Sequence, residues 1–462
     1  MKVTGLKHIG FVLLLATIFC SCTPKGESQT KEIATETDET IDQPVTFKFD
    51  FGDGNAADGY KQVTSTTFYS PETGYGLVSE TPLSTGSNNG KEDASSDFLT
   101  SVHPFYFTMD MPEGNYRIKI TFGNEQTATK ATVKAESRRL MLYDLNLAAG
   151  EFATKSIVVN VRTPKINEQE SIRLKSREHP YLNWDNQLTL EFSNKNPNIN
   201  SIEITEDKEI PTVFLAGNST VVDQEYEPWA AWGQMFPAFL KDDIAVANYA
   251  ESGETLKAFV GEKRWEKVMS KMKAGDFLFI EFAHNDQKPG GAHVEAFTGY
   301  KELVKRFIKE TKDKGATPIL VTSMHRRRFN EQGKIINTLE NYPEAMRQTA
   351  EEEQVALVDL NAMSKDFYEA MGVEDSKKAF VHFAAGTFPG QEKDLADNTH
   401  FSTYGAYELA KCIVEGVKDN VPELAKHLKD NLPEFDPAKP DDFESFDWPL
   451  SPSFENKKPD GN

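Results

Sequence analysis

The chain has 462 residues, of which 38% are hydrophobic and 11% aromatic, so it holds enough apolar material for globular folding and more than one ordinary core would use. Its formal net charge of −21 argues against nucleic-acid binding, which needs a basic surface to displace counterions from phosphates. An acidic polysaccharide would bind this chain only at a local basic patch.

The first 22 residues resemble a bacterial lipoprotein signal. A positively charged start precedes an apolar run over residues 9–19, which is too short to span a bilayer as a helix of a folded domain. The run ends in Cys20-Ser21-Cys22, with a small residue before the last cysteine. We therefore predict that Cys22 is lipidated and anchors the protein at the outer membrane, the cell surface or the periplasm. An ordinary secretory signal with incidental cysteines is the alternative.

The next two segments predict a tether followed by a β-sandwich. Residues 23–44 are polar and acidic, a composition typical of a disordered linker. Over residues 45–206, short runs alternate apolar and polar side chains, and clusters of Gly, Asn, Asp and Pro separate them. These runs are VTFKFDFG, YRIKITFG, SIVVNVRT, LTLEFS and SIEITE. A period of two in many short runs predicts an antiparallel β-sandwich.

Over residues 210–430 the pattern changes to apolar strands that alternate with amphipathic helices. The strands are TVFLA, AVANY, DFLFIEF, TPILVTS and VALVDL, and helices are predicted over residues 229–240, 264–273, 297–314, 342–353 and 403–417. Strands that are almost entirely apolar need cover on both faces, so the pattern predicts a three-layer α/β domain with a parallel sheet. Residues 431–462 are rich in Pro and Asp and predict an extended tail that packs through Phe443, Phe446 and Trp448.

Four short blocks carry candidate chemistry, three at predicted strand ends and one before the last helix. They are Gly217-Asn218-Ser219-Thr220, Glu251-Ser252-Gly253, Ala283-His284-Asn285-Asp286 and Asp397-Asn398-Thr399-His400. In open parallel sheets, ligands bind beyond the carboxyl ends of the strands. The hydroxyl of Ser219 would become a good nucleophile if His400 removed its proton. Asp397 would then orient the imidazole and stabilise its charged form.

The same blocks contain donors for an oxyanion. These are the N–H of Ser219 at an expected helix start, the N–H of Gly253, and the side-chain amide of Asn285. Each element also has a structural interpretation, in which Ser219 caps a helix, Asn285 forms a turn, or Asp397 and His400 share a local hydrogen bond. The presence of all four blocks in order favours the catalytic interpretation, with Ser219 as the nucleophile.

The four blocks in this order resemble the SGNH (GDSL-type) hydrolases. Four stretches between about Pro211 and Val417 resemble the rhamnogalacturonan acetylesterase branch, namely FLAGNSTV, RWEKVMSKMKAGDFLFIEFAHND, YKELVKRFIKETKDKGATPILVTS and DNTHFSTYGAYELAK. Upstream, FKFDFGDGNAADGYKQV and TGYGLV resemble a galactose-binding-like β-sandwich. The resemblance implies removal of acetyl groups from plant cell-wall pectin, outside the cell and with no metal or organic cofactor. Asn218 replaces the family's Asp and Ala283 replaces its Gly, which bears on rate and pocket shape.

Outside the signal, Cys412 is the only cysteine, so no disulfide within the mature chain is expected. It lies in a helical pattern, which predicts a small core residue.

A basic stretch, SMHRRRF, directly follows the strand TPILVT. Its position places Arg326, Arg327 and Arg328 at the active-site edge of the predicted sheet. Guanidinium groups suit two-point contacts with carboxylates, so these residues predict recognition of galacturonate. A solvated loop whose arginines pair with nearby carboxylates is the alternative.

Two rival functions stay open at this point. One is a lipid or aryl ester hydrolase of the same superfamily, which would need an apolar acyl groove. The other is a catalytically silent, surface-anchored glycan-binding lipoprotein. In that case the sandwich would bind sugar through Tyr60, Tyr69, Tyr75 or Trp184, which are otherwise core or interdomain residues.

Overall fold

The structure, a computed structural model, describes residues 45–89 and 91–460. The predicted signal with Cys22 and the predicted linker lie outside the described residues. None of the helices within the two described ranges is long and apolar enough to cross a membrane.

The N-terminal part is an antiparallel β-sandwich, as predicted. Its strands are β1 Thr46–Phe51, β2 Lys61–Val63, β3 Tyr75–Val78, β4 Ser84–Ser87, β5 Asp97–Thr100, β6 Phe105–Asp110, β7 Gly114–Gly123, β8 Thr129–Ala135, β9 Arg139–Leu147, β10 Phe152–Val161, β11 Gln187–Ser193 and β12 Ile199–Glu206. One sheet runs β10-β7-β12-β1-β2, with β5 and β4 joined to it through β12, and the facing sheet runs β3-β6-β11-β8-β9. Along β7, alternate side chains from Tyr116 to Phe122 are buried in the core between the sheets, which explains the period of two.

The C-terminal part is a three-layer α/β domain, also as predicted. Its parallel strands are β13 Thr212–Gly217, β14 Ala245–Asn248, β15 Phe277–Glu281, β16 Thr317–Val321 and β17 Ala356–Val358, followed by an antiparallel pair, β18 Phe380–Phe383 and β19 Leu395–Phe401. The parallel sheet has the order β14-β13-β15-β16-β17. Because the winding reverses between β13 and β15, a crevice forms beyond the carboxyl ends of these two strands.

The helices cover both faces of the parallel sheet. They are α1 Trp232–Met235, α2 Leu256–Gly261, α3 Arg264–Lys271, α4 Lys301–Asp313, α5 Tyr342–Glu353, α6 Leu360–Asp375, α7 Thr403–Asn420 and α8 Pro422–Ala425. Val213 and Leu215 belong to one hydrophobic cluster, whereas Phe214 and Ala216 belong to another. Successive residues of β13 therefore enter the two layers of helices, which is why its sequence is apolar throughout.

The helical layers differ from the sequence prediction in several places. The helix predicted over residues 229–240 is wrong, because α1 ends at Met235 and a 3₁₀ turn, Phe236–Phe239, follows. Pro237 has no N–H and cannot continue an α-helix. The helix α6 was not predicted, since the apolar run before it was interpreted only as a strand. Cys412 lies buried in α7, as expected.

The sandwich and the α/β domain share buried ion pairs. The Arg139 guanidinium donates through Nε and Nη2 to Oδ2 of Asp223, at 3.0 and 2.9 Å. Arg138 forms an ion pair with Glu227 at 2.5 Å and donates to the carbonyls of Gln224 and Trp229. Both arginines thus hold the segment that follows Ser219 in the chain.

The C-terminal tail packs along the same junction. Phe443, Phe446 and Trp448 pack against the core of the α/β domain, and the Phe446 ring lies 5.6 Å from that of Tyr143 in the sandwich. Beyond them, Ser451 is buried and donates to Glu191 of the sandwich at 2.7 Å.

Candidate active site

Ser219 lies in a tight turn at the end of β13. A side chain at Gly217 would meet Val221, since a Cβ there would lie 2.5 Å from Cγ2 of that valine. The turn is closed by hydrogen bonds from the N–H groups of Val221 and Val222 to the carbonyl of Asn218, at 3.0 and 3.1 Å. The expected helix start at Ser219 is therefore wrong, because the next helix begins only at Trp232.

Ser219, His400 and Asp397 form a hydrogen-bonded series. Nε2 of His400 lies 2.9 Å from Oγ of Ser219, and Nδ1 lies 2.8 Å from Oδ2 of Asp397. All three side chains are buried. The structure thus joins residues that are 181 positions apart in the chain.

A bulged strand brings Asp397 and His400 together. Phe401 pairs with Phe380 and Ala396 with His382, so residues 397–400 form an extra loop within the ladder of β18 and β19. In a regular strand, residues three apart would point to opposite faces. The bulge redirects the two side chains so that they meet.

The Asp397 carboxylate is held in its ionised form. Burial alone would raise its pKa, but hydrogen bonds from the His400 ring and from the N–H groups of Thr399 and His400 lower the pKa to about 2. Nζ of Lys458, from the C-terminal tail, lies 3.4 Å from the same carboxylate. The indole of Trp229 packs edge-on against the His400 ring at 5.8 Å, which restricts the orientation of the imidazole.

Hydrogen bonds join the loop that contains Gly253 to the loop that contains Asn285. Gly253 adopts a φ of +81°, a left-handed conformation that favours glycine. Asn285 donates from its side-chain amide to the carbonyl of Glu254 at 3.0 Å, and the N–H of Leu256 donates to Asp286 at 2.8 Å. These bonds hold the loop after β14 beside the loop after β15, so that Gly253 and Asn285 line a common cavity of about 390 Å³.

The Ser252–Gly253 peptide is clamped from outside the α/β domain. Lys175 and Arg177 lie in the segment between β10 and β11, and both donate to the carbonyl of Ser252, at 2.8 and 2.7 Å. Arg177 also binds the carboxylate of Glu251 at 2.7 Å. Sequence reasoning missed these two residues, as it missed Trp229 and Lys458, because no local motif marks them.

The two departures from the family pattern are accommodated within the fold. Oδ1 of Asn218 accepts hydrogen bonds from the N–H and the hydroxyl of Thr220, at 3.1 and 2.9 Å. In the part of the chain that the structure describes, the Nδ2 of Asn218 is buried without a hydrogen-bond partner. Ala283 is buried, and its methyl group joins the core cluster beneath the third block.

The three arginines differ in their surroundings. Arg326 is partly buried and donates to the carbonyls of His284 and Thr338, at 3.1 and 3.2 Å. Arg327 is bound to Ser376 and Asn398 and to the carbonyl of Val373, which fixes it to the fold. Arg328 is exposed. Only Arg326 therefore has its guanidinium directed at the third block.

The aromatic residues considered for sugar binding also differ. Trp184 is buried and packs against Tyr249 at the junction with the α/β domain. Tyr60 and Tyr69 are hydrogen-bonded to Glu203 and Asp110, and Tyr75 packs on Phe49. Across residues 45–89 and 91–460, no group of three or more His, Cys, Asp or Glu side chains is arranged to hold a metal ion.

A buried Ser-His-Asp series at the carboxyl edge of a parallel sheet, next to a glycine loop and an asparagine, defines the class of SGNH-type ester hydrolases. Residues 215–406 match the GDSL-like Lipase/Acylhydrolase family, and residues 47–167 match the galactose-binding-like domain of the beta-agarase and YxiM esterase type. The rhamnogalacturonan acetylesterase RhgT of Bacillus subtilis is 42% identical over 47% of this chain and 93% of its own length. The chain therefore belongs to the GDSL-like lipase/acylhydrolase family and is a carboxylic ester hydrolase.

A second relative spans both domains. The esterase YxiM of Bacillus subtilis is 26% identical over 81% of this chain and 91% of its own length. The crystal structure of YxiM aligns with this chain at 24% identity and a TM-score of 0.43, and the alignment covers 81% of this chain and 98% of the YxiM chain.

Proposed function

We propose that this protein removes acetyl groups from a pectic polysaccharide, rhamnogalacturonan, and that Ser219 carries the acetyl group between two steps. The observation that carries this proposal is the hydrogen-bonded series from Ser219 through His400 to Asp397. The name of RhgT, a rhamnogalacturonan acetylesterase 42% identical to this chain, supports the choice of substrate.

In the first step, Oγ of Ser219 attacks the acetyl carbonyl carbon while Nε2 of His400 accepts the hydroxyl proton. Asp397 accepts a hydrogen bond from Nδ1–H, which fixes the imidazole tautomer and stabilises the imidazolium ion. The bond between the carbonyl carbon and the sugar oxygen then breaks. His400 gives its proton to that oxygen, so that the sugar leaves as an alcohol and Ser219 keeps the acetyl group.

In the second step, water attacks the acetylated serine while His400 accepts a proton from it. The tetrahedral intermediate collapses to acetate, and Ser219 regains its proton. In both steps the carbonyl oxygen becomes negative, and we assign its donors as the N–H groups of Ser219 and Gly253 and the side-chain amide of Asn285. The hydrogen bond from Asn285 to the carbonyl of Glu254 uses one N–H of that amide and directs the other.

Acetate release from a panel of polysaccharides tests the substrate. We expect acetylated rhamnogalacturonan to be deacetylated faster than acetylated xylan at equal acetyl content, with Ser219→Ala as the matched control. Faster release from xylan would reject the pectic substrate. Faster hydrolysis of long-chain than of acetyl 4-nitrophenyl esters would favour a lipid or aryl esterase, and no turnover of any ester would favour a glycan-binding protein.

We also propose that the enzyme is carried on a bacterial membrane through a lipid on Cys22. The support is the sequence alone, in which a short apolar run ends at Ser21-Cys22. An anchored esterase would act on polysaccharide outside the cell.

A further inference from the structure

Three cationic side chains contact residues of the candidate active site. Nζ of Lys288, from the loop after β15, lies 2.9 Å from Oδ1 of Asn285. Arg326, from the loop after β16, donates to the carbonyl of His284, and Lys458 of the C-terminal tail lies 3.4 Å from Asp397. Three separate parts of the chain therefore bring positive charge to one edge of the active site, in a protein whose net charge is −21.

These cations are poorly neutralised by the protein itself. Across residues 45–89 and 91–460, no carboxylate oxygen lies within 4.0 Å of the side-chain nitrogens of Lys288 or Arg326, and the one such partner of Lys458 is Asp397. That carboxylate is already engaged with His400. Burial, together with repulsion from Arg326 and Lys458, lowers the pKa of Lys288 to about 8. Burial also lowers the pKa of His284 well below its usual range, so that ring stays neutral beside them.

Lys288 and Arg326 are partly buried and have no carboxylate partner among the described residues, which is costly for a cation, so their position here points to an anionic ligand. Their donors suit a carboxylate, which accepts several charge-assisted hydrogen bonds.

The tail that carries Lys458 is held in place by main-chain hydrogen bonds. The N–H of Glu227 donates to the carbonyl of Ser453 at 3.0 Å, and the N–H of Glu455 donates to the carbonyl of Glu227 at 3.0 Å. The indole of Trp229, which packs on His400, donates to the carbonyl of Glu455 at 2.8 Å. Lys458 therefore belongs to the wall of the active site.

Two cavities meet at this wall. One, of about 390 Å³, is lined by Gly253, Asn285 and Lys288, and the other, of about 240 Å³, is lined by Trp229 and Lys458 among others. Ser252 and Asp460 line both cavities. A saccharide whose acetyl group lies against Gly253 would thus place neighbouring sugars next to Lys288 and Lys458.

We propose that Lys288, Arg326 and Lys458 form a subsite for the carboxylate of a uronic acid residue in the bound saccharide. This inference rests on the proposed function, since it assigns an acidic saccharide to the same site. The C-terminal tail then determines specificity by completing a basic edge that the α/β domain alone would leave open.

Inhibition by non-acetylated oligosaccharides tests the subsite without a polymer substrate. Hydrolysis of 4-nitrophenyl acetate by the full chain is measured with trigalacturonate and with neutral galactotriose, at equal ionic strength. We expect trigalacturonate to inhibit more strongly and added NaCl to weaken that inhibition. Lys458→Ala and Arg326→Ala should each raise the inhibition constant of trigalacturonate about tenfold or more, because each variant loses one charge-assisted hydrogen bond.

Two further variants control this experiment. Lys458→Arg keeps the positive charge and should retain most of the inhibition. Lys439→Ala removes another lysine of the tail, an exposed one paired with Asp436, and should leave the inhibition constant unchanged. Thermal unfolding midpoints confirm that each variant is folded.

Equal inhibition by the acidic and the neutral trisaccharide would overturn the subsite. So would inhibition constants for Lys458→Ala and Arg326→Ala that equal that of the unsubstituted chain. Selective inhibition by trigalacturonate, in an enzyme that releases no acetate from rhamnogalacturonan, would support the subsite while rejecting the proposed substrate.

Discussion

Replacing Arg139 with Ala tests whether the β-sandwich stabilises the segment that follows Ser219. Arg139 is 1% exposed and donates to Oδ2 of Asp223 through two nitrogens, at 3.0 and 2.9 Å. Without it, the buried carboxylate retains a hydrogen bond from Asn248 at 2.8 Å and a distant ion pair with Arg162 at 3.7 Å. Deleting one partner of a buried ion pair costs about 3–5 kcal/mol, because the remaining charge stays buried.

Urea unfolding gives the free energy of unfolding from which this loss is read. We expect a single transition for the unsubstituted chain, because buried ion pairs join the two domains, and a loss of about 3–5 kcal/mol for Arg139→Ala. Lys309→Ala is the matched control, since it breaks an exposed pair with Asp313 and should cost less than about 1 kcal/mol.

Two results would refute this reasoning. One is a loss of less than about 1 kcal/mol in the free energy of unfolding of Arg139→Ala, which is the range for an exposed ion pair. The other is separate unfolding of the sandwich and the α/β domain, with full esterase activity after the sandwich has unfolded.

Four further predictions concern the active site and the anchor. Ser219→Ala and His400→Ala should each lower kcat/KM for 4-nitrophenyl acetate by about 10³-fold or more, and full turnover by Ser219→Ala would reject the nucleophile. Asn285→Ala should lower kcat about 10²-fold with little change in KM, since its amide acts on the transition state. Burial raises the pKa of Glu281 from 4.5 to about 7, so the stability that this residue contributes is complete below about pH 4.5 and is lost as the pH rises through 7. Glu281→Gln should therefore flatten the fall in melting temperature over this pH range. An unchanged slope would contradict the raised pKa of Glu281. Mass spectrometry of membrane-extracted protein should find an acylated peptide beginning at Cys22, whereas a mature form starting elsewhere would reject the anchor.

The fold was predictable from sequence because the burial of each strand leaves its own pattern of apolar residues. Alternate burial along β7 produces a period of two, and burial of both faces of β13 produces an uninterrupted apolar run. The error over residues 229–240 has a local cause, because the apolar pattern there continues through Pro237 although the α-helix cannot. Hydrophobic periodicity reports which side chains are buried, and it reports helix ends less well.

The placement of Ser219, Gly253 and Asn285 at one edge of the sheet was predictable because each follows a parallel strand, and the carboxyl ends of these strands share that edge. The bulge that joins Asp397 to His400 was not predictable, since it depends on how β19 pairs with β18. Residues from other parts of the chain were missed for a similar reason. Their contacts with the site are set by tertiary packing, which leaves no pattern in the neighbouring sequence.

Hydrogen bonds to the carbonyl of Ser252 connect the segment between β10 and β11 to the proposed oxyanion donor Gly253. In a planar trans peptide the carbonyl oxygen and the following N–H point in opposite directions, so a group that fixes the oxygen of Ser252 also fixes the N–H of Gly253. Two cations, Lys175 and Arg177, bind that oxygen from the segment between β10 and β11. They also polarise the peptide and so strengthen its N–H as a donor. The proposed oxyanion donor is therefore oriented by residues that lie outside the α/β domain.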